Sequence, residues 1–292
     1  MRSSPNIQSL ESLFARWQEK IAAGEKKRTR EMAAALGCTE AELVASGAGS
    51  EEVRFLPVER AEEWLRAAAG VGRSMWLLRN EATVLEADTT LSDIRRDVDH
   101  LELEGPGLSI RLRAGQCRFA FFIKTEQGPP RSLQIFDPRG GAVLKLYLKN
   151  KNRIQSFDTA LAPHFLSERP EALEIANGEP SGFFGETSSA GGDPLEPAAV
   201  RSLLEEASRR EETVVLSAAN PGGRMTADHR PSRLVPMEDW FNILDPGFNL
   251  HLRESLLTRA LLQRRESGVR CRFFRECGEP VLELELPFQP DL

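Results

Sequence analysis

The sequence predicts an α+β protein made of two tandem copies of one unit, each copy a helical cap followed by a large antiparallel β-meander. Three observations carry this. Apolar residues recur at helical spacing over the first seventy or so positions, the period changes to alternation from Met75, and the alternating block returns at an offset of 140 residues.

In the cap, Leu10, Leu13, Phe14, Trp17 and Ile21 follow the i, i+3, i+4, i+7 spacing of one buried helix face. TREMAAALGCTEAELVAS places a second helix on Met32 and Leu36, a break at Gly37, and a third helix that Thr39 and Glu42 open as a capping box. VERAEEWLRAAAG carries Trp64, Leu65 and Ala68 inward and stops at Gly70. The strand-like runs are SMWLLRNEATVLEA, GLSIRLRA, CRFAFFIKT, RSLQIFD and AVLKLYLK, with a hairpin turn at Asp137–Gly141. NRIQSFDTALAPHF returns to a helix. Residues 167–197 are rich in Pro, Gly, Ser and Glu without a period and read as a linker. A helix at 197–210 follows, and alternation resumes from Thr213 to the end.

Adding 140 carries Asn80 to Asn220, Pro106 to Pro246, Gly107 to Gly247, Leu112 to Leu252, Arg113 to Arg253 and Ala120 to Ala260. After a two-residue deletion the offset is 138, and residues 132–148 lie over 270–286, matching Phe136 to Phe274 and Gly140 to Gly278. The division predicted is a first repeat at 1–166 (cap 1–71, sheet 72–149, helix 152–165), the linker at 167–197 and a second repeat at 198–292 whose cap is truncated.

Of the 292 residues 40% are hydrophobic and 28% charged, with a net charge of −6, the balance of a globular chain rather than a disordered or a nucleic-acid-binding one. The helix-break-helix at 28–46 follows the basic run KKRTR, but EAELVAS is acidic and lacks Arg, Asn or Gln to read base edges, so no nucleic-acid partner is expected. The start lacks an apolar leader, and nowhere do about 18 uncharged apolar residues run together, so membrane insertion is not expected and a cytoplasmic location is. The four cysteines have no zinc spacing, and Cys271 and Cys277 read as packing across a hairpin.

REMAAALGCTEAELVAS, LLRNEATVLE, GLSIRL, SLQIFDPRGGAVLKLYLKN and RLVPMEDWFNILDPGFNLHLRESLLTRALLQRR resemble the HemS/ChuX-like hemin-degrading family, whose longer members carry this tandem repeat. The resemblance implies two HemS-like repeats, heme as the bound cofactor, and a cytoplasmic role in heme trafficking or in heme degradation and iron release. It implies a heme importer or a downstream heme acceptor as partner, and leaves a homodimer open. A heme oxygenase-like activity follows from the family alone. The competing reading is a non-catalytic repeat scaffold that binds a partner and has lost the family's heme ligand.

A heme site needs an axial ligand, an apolar slot and cations for the propionates. The resemblance implies heme contacts at Arg111, whose repeat mate is His251, and at Arg265, with Arg264 beside it. Alternation places Arg111 with Ser109 and Arg113, opposite Leu108, Ile110 and Leu112. The family's axial histidine lies in the second cap, and here no histidine occurs between His164 and His229. A second histidine site of the family aligns with Leu85. The iron-ligand candidates are therefore His229, read as exposed in the polar turn TADHRPS, and His251 in FNLHL, where a hydrogen-bonded scaffold role competes. His100, His164, Met225, Met237 and Tyr147 are the remaining alternatives.

Overall fold

The computed structural model describes residues 9–48, 52–125, 129–168, 170–178 and 191–290. Three helices form the cap: α1 (Leu10–Ala22), α2 (Thr29–Leu36) and α3 (Glu40–Ser46). Gly37 ends α2 in the left-handed region at φ 69°. The capping box forms as expected, Glu42 N–H donating to Thr39 Oγ1 at 3.2 Å and Thr39 N–H to Glu42 Oε2 at 2.8 Å. Leu13, Met32, Ala33, Leu36 and Leu43 make a small core within the cap.

The first copy continues with β1 (Val53–Phe55), α4 (Ala61–Gly70), β2 (Ser74–Arg79), β3 (Thr83–Thr89), β4 (Asp93–Arg96), β5 (His100–Gly105), β6 (Leu108–Arg113), β7 (Phe119–Lys124), β8 (Arg131–Phe136), β9 (Ala142–Leu148) and α5 (Ile154–Leu161). The second contains β10 (Asp193–Leu195), α6 (Ala199–Arg209), β11 (Val214–Asn220), β12 (Gly223–His229), β13 (Leu234–Met237), β14 (Trp240–Asp245), β15 (Phe248–Arg253), β16 (Arg259–Arg265), β17 (Gly268–Phe274) and β18 (Pro280–Leu286). Two of these correct the sequence reading. β1 lies in a stretch read as wholly helical, and β10 lies within 167–197; each is three residues long, too short to show a period. Cys271 is buried in β17 and Cys277 is exposed in the turn after it, so the two do not pack across a hairpin.

The strands form two nine-stranded sheets. Sheet I runs β1-β7-β8-β9-β2-β3-β15-β14-β13 and sheet II runs β10-β16-β17-β18-β11-β12-β6-β5-β4, with antiparallel pairing throughout both orders. The second order is the first with the copies interchanged. Each sheet thus takes six strands from one copy and three from the other, joined where Leu85 faces Leu250 and where Ile110 faces Met225.

The duplication is written most plainly at Asn80 and Asn220. Asn80 Nδ2 donates to the carbonyls of Ala219 and Val281 at 3.0 and 2.8 Å, and Asn220 Nδ2 donates to those of Arg79 and Val143 at 3.1 and 2.9 Å. Each Oδ1 accepts two backbone N–H groups of its own turn. The partners are themselves repeat mates, so one buried asparagine per copy ties its hairpin to the opposite sheet.

Trp76, Leu78, Leu85, Ile110, Leu216, Met225 and Leu250 on the inner faces share one core with Trp64 of α4, Phe157 of α5 and Leu203 of α6. Each such large side chain contributes about 1.5–3 kcal/mol by burial. Both sheets therefore owe their stability to a single interior.

Candidate functional site: the outer face of the second sheet

Alternation in β6 buries Leu108, Ile110 and Leu112 and turns Ser109, Arg111 and Arg113 outward. Register carries that outer face across sheet II: Arg111 stands opposite Glu102 and Arg224, Arg224 opposite Ala219, Ser217 opposite Glu283, Glu283 and Glu285 opposite Arg272 and Arg270, and Arg270 opposite Gln263, two residues from Arg265. Arg111 and Arg265 thus share one face, near its two ends.

Ion pairs cover much of it. Arg224 Nη2 lies 2.7 Å from Glu283 Oε1, Arg270 Nη2 lies 2.6 Å from Glu285 Oε1, and Arg265 Nη1 lies 3.5 Å from Glu285 Oε2. Arg111 Nε pairs with Glu102 Oε1 at 3.2 Å, and its Nη2 lies 3.4 Å from His100 Nδ1. Between these groups is a cleft of about 300 Å³ lined by four arginines, Arg111, Arg224, Arg270 and Arg272, and one carboxylate, Glu283. Glu102 on Arg111 and Glu285 on Arg270 stand just outside this lining, so the face still holds more guanidiniums than carboxylates, the electrostatics of a site for carboxylates.

Arg224, Arg270 and Arg272 were not singled out from the sequence. The signal existed: GVRCRFF alternates, and the 138 offset sets Arg270 and Arg272 over Ser132 and Gln134, polar positions of the first copy. Arg264, beside Arg265, turns to Gln289 Oε1 at 2.7 Å.

His229 and His251 do not join the arginines. His229 is not in an exposed turn: it is the last residue of β12, on the inward side with Met225 and Ala227. Its ring stacks on Phe248 with centroids 3.9 Å apart, and Nε2 donates to Asp245 Oδ2 at 2.7 Å. Burial alone would raise the Asp245 carboxyl, but hydrogen bonds from Ser232, His229 and the Arg233 N–H hold it below the usual range, so it stays an acceptor. Nε2 is thereby committed to it.

His251 lies on β15, on the outer face of sheet I. Asn242 Nδ2 donates to the Val235 carbonyl at 3.0 Å, which leaves its Oδ1 to accept from His251 Nδ1 at 2.8 Å. The proton is therefore assigned to Nδ1. Burial, reinforced by Arg28 and opposed by Glu86, holds the imidazole below the ordinary histidine value, so it is neutral with a lone pair on Nε2. Among the described residues no group of three His, Cys, Asp or Glu is placed to hold a metal ion.

The outer face of sheet I holds the mates of these positions under a cover that has no counterpart on sheet II among the described residues. Leu10, Ala41, Val44 and Ala45 of the cap pack on Phe121 and Phe136. Lys145, mate of Glu283, reaches Glu40 Oε1 at 2.6 Å, and Arg79 pairs with the same carboxylate. No helix among the described residues precedes β10 to do likewise for the second copy. The hairpin turns record the difference. At Gly140 a Cβ would stand 2.4 Å from Thr39 Oγ1 of the cap, whereas at Gly278 it would meet nothing within 4 Å.

This arrangement, two strand-exchanged sheets from a doubled sequence, defines a tandem-repeat α+β protein, and the comparisons with known proteins agree. A family model described as a haemin-degrading HemS.ChuX domain matches residues 37–164. The chain is 24% identical over 298 residues to the hemin transport protein HmuS of Yersinia pestis, covering 87% of this chain and 84% of that protein. It is 24% identical over 300 residues to the hemin transport protein HemS of Yersinia enterocolitica. Holo-PhuS, a heme-binding protein from Pseudomonas aeruginosa, has the same fold with a TM-score of 0.85 at 22% identity, covering 98% of this chain and 96% of that one. ChuS, an E. coli heme oxygenase, follows with a TM-score of 0.78 at 21% identity, covering 96% and 94%. Residues 37–164 thus match the HemS.ChuX domain, and the whole chain has the tandem-repeat fold of these proteins. No helix among its described residues is long and apolar enough to cross a membrane.

Proposed function

We propose that the protein binds heme on the outer face of sheet II and passes it from a donor to an acceptor in the cytoplasm, a trafficking role. The observation that carries this reading is the cleft in which four guanidiniums meet one carboxylate, on the same face as both arginines that the family resemblance selects. Two propionates are further acceptors for these guanidiniums, and each charge-assisted hydrogen bond contributes about 1.5–3 kcal/mol. Ring opening is the weaker alternative, because it requires iron held where oxygen and a reductant reach it. His229 is committed to Asp245, and His251 is on the other sheet; the histidine beside Arg111 is His100.

Titration of the protein with hemin, followed in the Soret band, tests this. A saturating one-to-one shift is expected, weakened at least tenfold in Arg224→Glu. His100→Ala and His251→Ala then read which face holds the iron: a changed spectrum in the second variant alone moves heme to sheet I. Loss of the band on adding a reductant moves the reading to degradation. A spectrum that stays that of free hemin sinks heme binding. The second reading, a scaffold that recognises a protein partner, rests on the pairs Arg224–Glu283 and Arg270–Glu285, which already occupy the guanidiniums. It then takes the lead.

A further inference from the structure

A second cationic cleft lies where the turn between α4 and β2 meets the chain entering α5. It encloses about 340 Å³, and Arg73, Lys149 and Arg153 line it with Ser74, Asn150 and one carboxylate, Asp88. That carboxylate is already engaged by Lys149 Nζ at 2.8 Å. Neither the Arg73 nor the Arg153 guanidinium has a hydrogen-bond or ion-pair partner among the described residues. Three cations against one anion leave two positive charges concentrated in one concavity of a chain whose net charge is −6.

The duplication shows that this cluster is not something the fold requires. The 140 offset carries Asp88 to Asp228 and Arg73 to Thr213, and the 138 offset carries Lys149 to Pro287. Both copies keep the carboxylate, and only the first surrounds it with cations. The opposite rim leaves the guanidinium room, because a Cβ at Gly247 would stand 2.8 Å from Arg73 Nη2. Like charges gathered without counterions repel one another, and the arrangement is relieved by a ligand that brings two negative charges to a single point.

We infer that this cleft binds a doubly charged phosphate group, as inorganic phosphate or as the monoester of a small molecule. Two guanidinium forks present paired N–H donors that match the oxygens of a tetrahedral dianion, and the Lys149 ammonium adds a point charge from a third direction. A dicarboxylate carries the same charge but spreads it over two separated groups. The cleft is on a different element set from the arginine face of sheet II, so this inference stands whether or not heme binds there. The cations are largely exposed, so salt screens the interaction and the expected dissociation constant is about millimolar.

The test is a titration of the isotope-labelled full chain with inorganic phosphate at constant ionic strength, followed by amide shifts. Saturating changes confined to residues 71–74 and 149–153 are expected, with saturation lost in Arg153→Glu and at least tenfold weaker in Arg73→Ala. Should Arg153→Glu fail to fold, Arg153→Gln replaces it, and an unchanged thermal midpoint certifies the variant used. Glycerol 3-phosphate as second probe separates the sources: tighter binding than phosphate assigns an organic monoester, and equal binding assigns the free ion. Shifts that sodium chloride reproduces, that succinate reproduces with equal affinity, or that persist unchanged in the Arg153 variant overturn the inference.

Discussion

The outer faces of the two sheets began as the same surface and now have opposite character. On sheet I the polar positions are roofed by α1–α3, and the charges that remain are driven into a buried cluster of Glu40, Lys145 and Arg79. On sheet II the roof is missing from the described residues, and the mates of those positions have become a lattice of arginines and glutamates. Position 145 against position 283 states it briefly: a lysine facing a helix in one copy, a glutamate facing arginines in the other. A cover over a strand face changes which side chains the strand tolerates while leaving the strand itself alone.

The largest expected effect sets a buried charge against an exposed one. Glu40→Gln leaves Lys145 between cap and sheet without its carboxylate and should cost about 3–5 kcal/mol in denaturant unfolding. Arg265→Ala removes a half-exposed partner of Glu285 and should stay within about 1 kcal/mol. Equal losses would break the comparison. The next effect separates the two turn glycines, which share a positive φ of 77° and 79°. Gly278→Ala should cost roughly 1–2 kcal/mol, the left-handed strain alone. Gly140→Ala should add about 1–3 kcal/mol for displacing Thr39. A difference near zero means the cap does not sit on that turn.

The smallest effect is absent at neutral pH. Burial alone would raise the Glu40 carboxyl, but Lys145 and Arg79 override it and hold it below the usual carboxylate range. A carboxyl lowered in the folded state adds stability above its unfolded value and loses it as pH falls through the folded one. Hydrogen exchange in α1–α3 should therefore accelerate relative to sheet II only below about pH 4.5. Parallel acceleration of both regions would show that Glu40 is not what fastens the cap.

Much of this was legible beforehand, for identifiable reasons. The capping box at Thr39, the break at Gly37 and the outward side of Arg111 follow from local patterns, and the fold class follows from their repetition. The exchange of strands does not, because alternation says which way a side chain points and nothing about which strand lies beside it. β10 was recoverable: the 140 offset that joins the asparagines also carries Val53–Phe55 onto Asp193–Leu195 and Pro57 onto Pro197. His229 was misplaced because the polar run TADHRPS outweighed the alternation of Met225, Ala227 and His229. The arginine cleft escaped because its members come from β6, β12 and β17, which only tertiary register aligns. At the level of the site, chemistry was readable residue by residue, and neighbourhood was not.

The exchange also orders events during synthesis. Ala87 pairs with Trp76 on one side and Leu112 with Leu101, but on the other side Ala87 finds a partner only at Phe248 and Leu112 only at Gly223. Until those residues leave the ribosome, β3 and β6 are bare edges whose unpaired N–H and C=O groups invite pairing with any passing strand. The N-terminal half is thus a newborn with two open seams, and it is closed by the part of the chain made last.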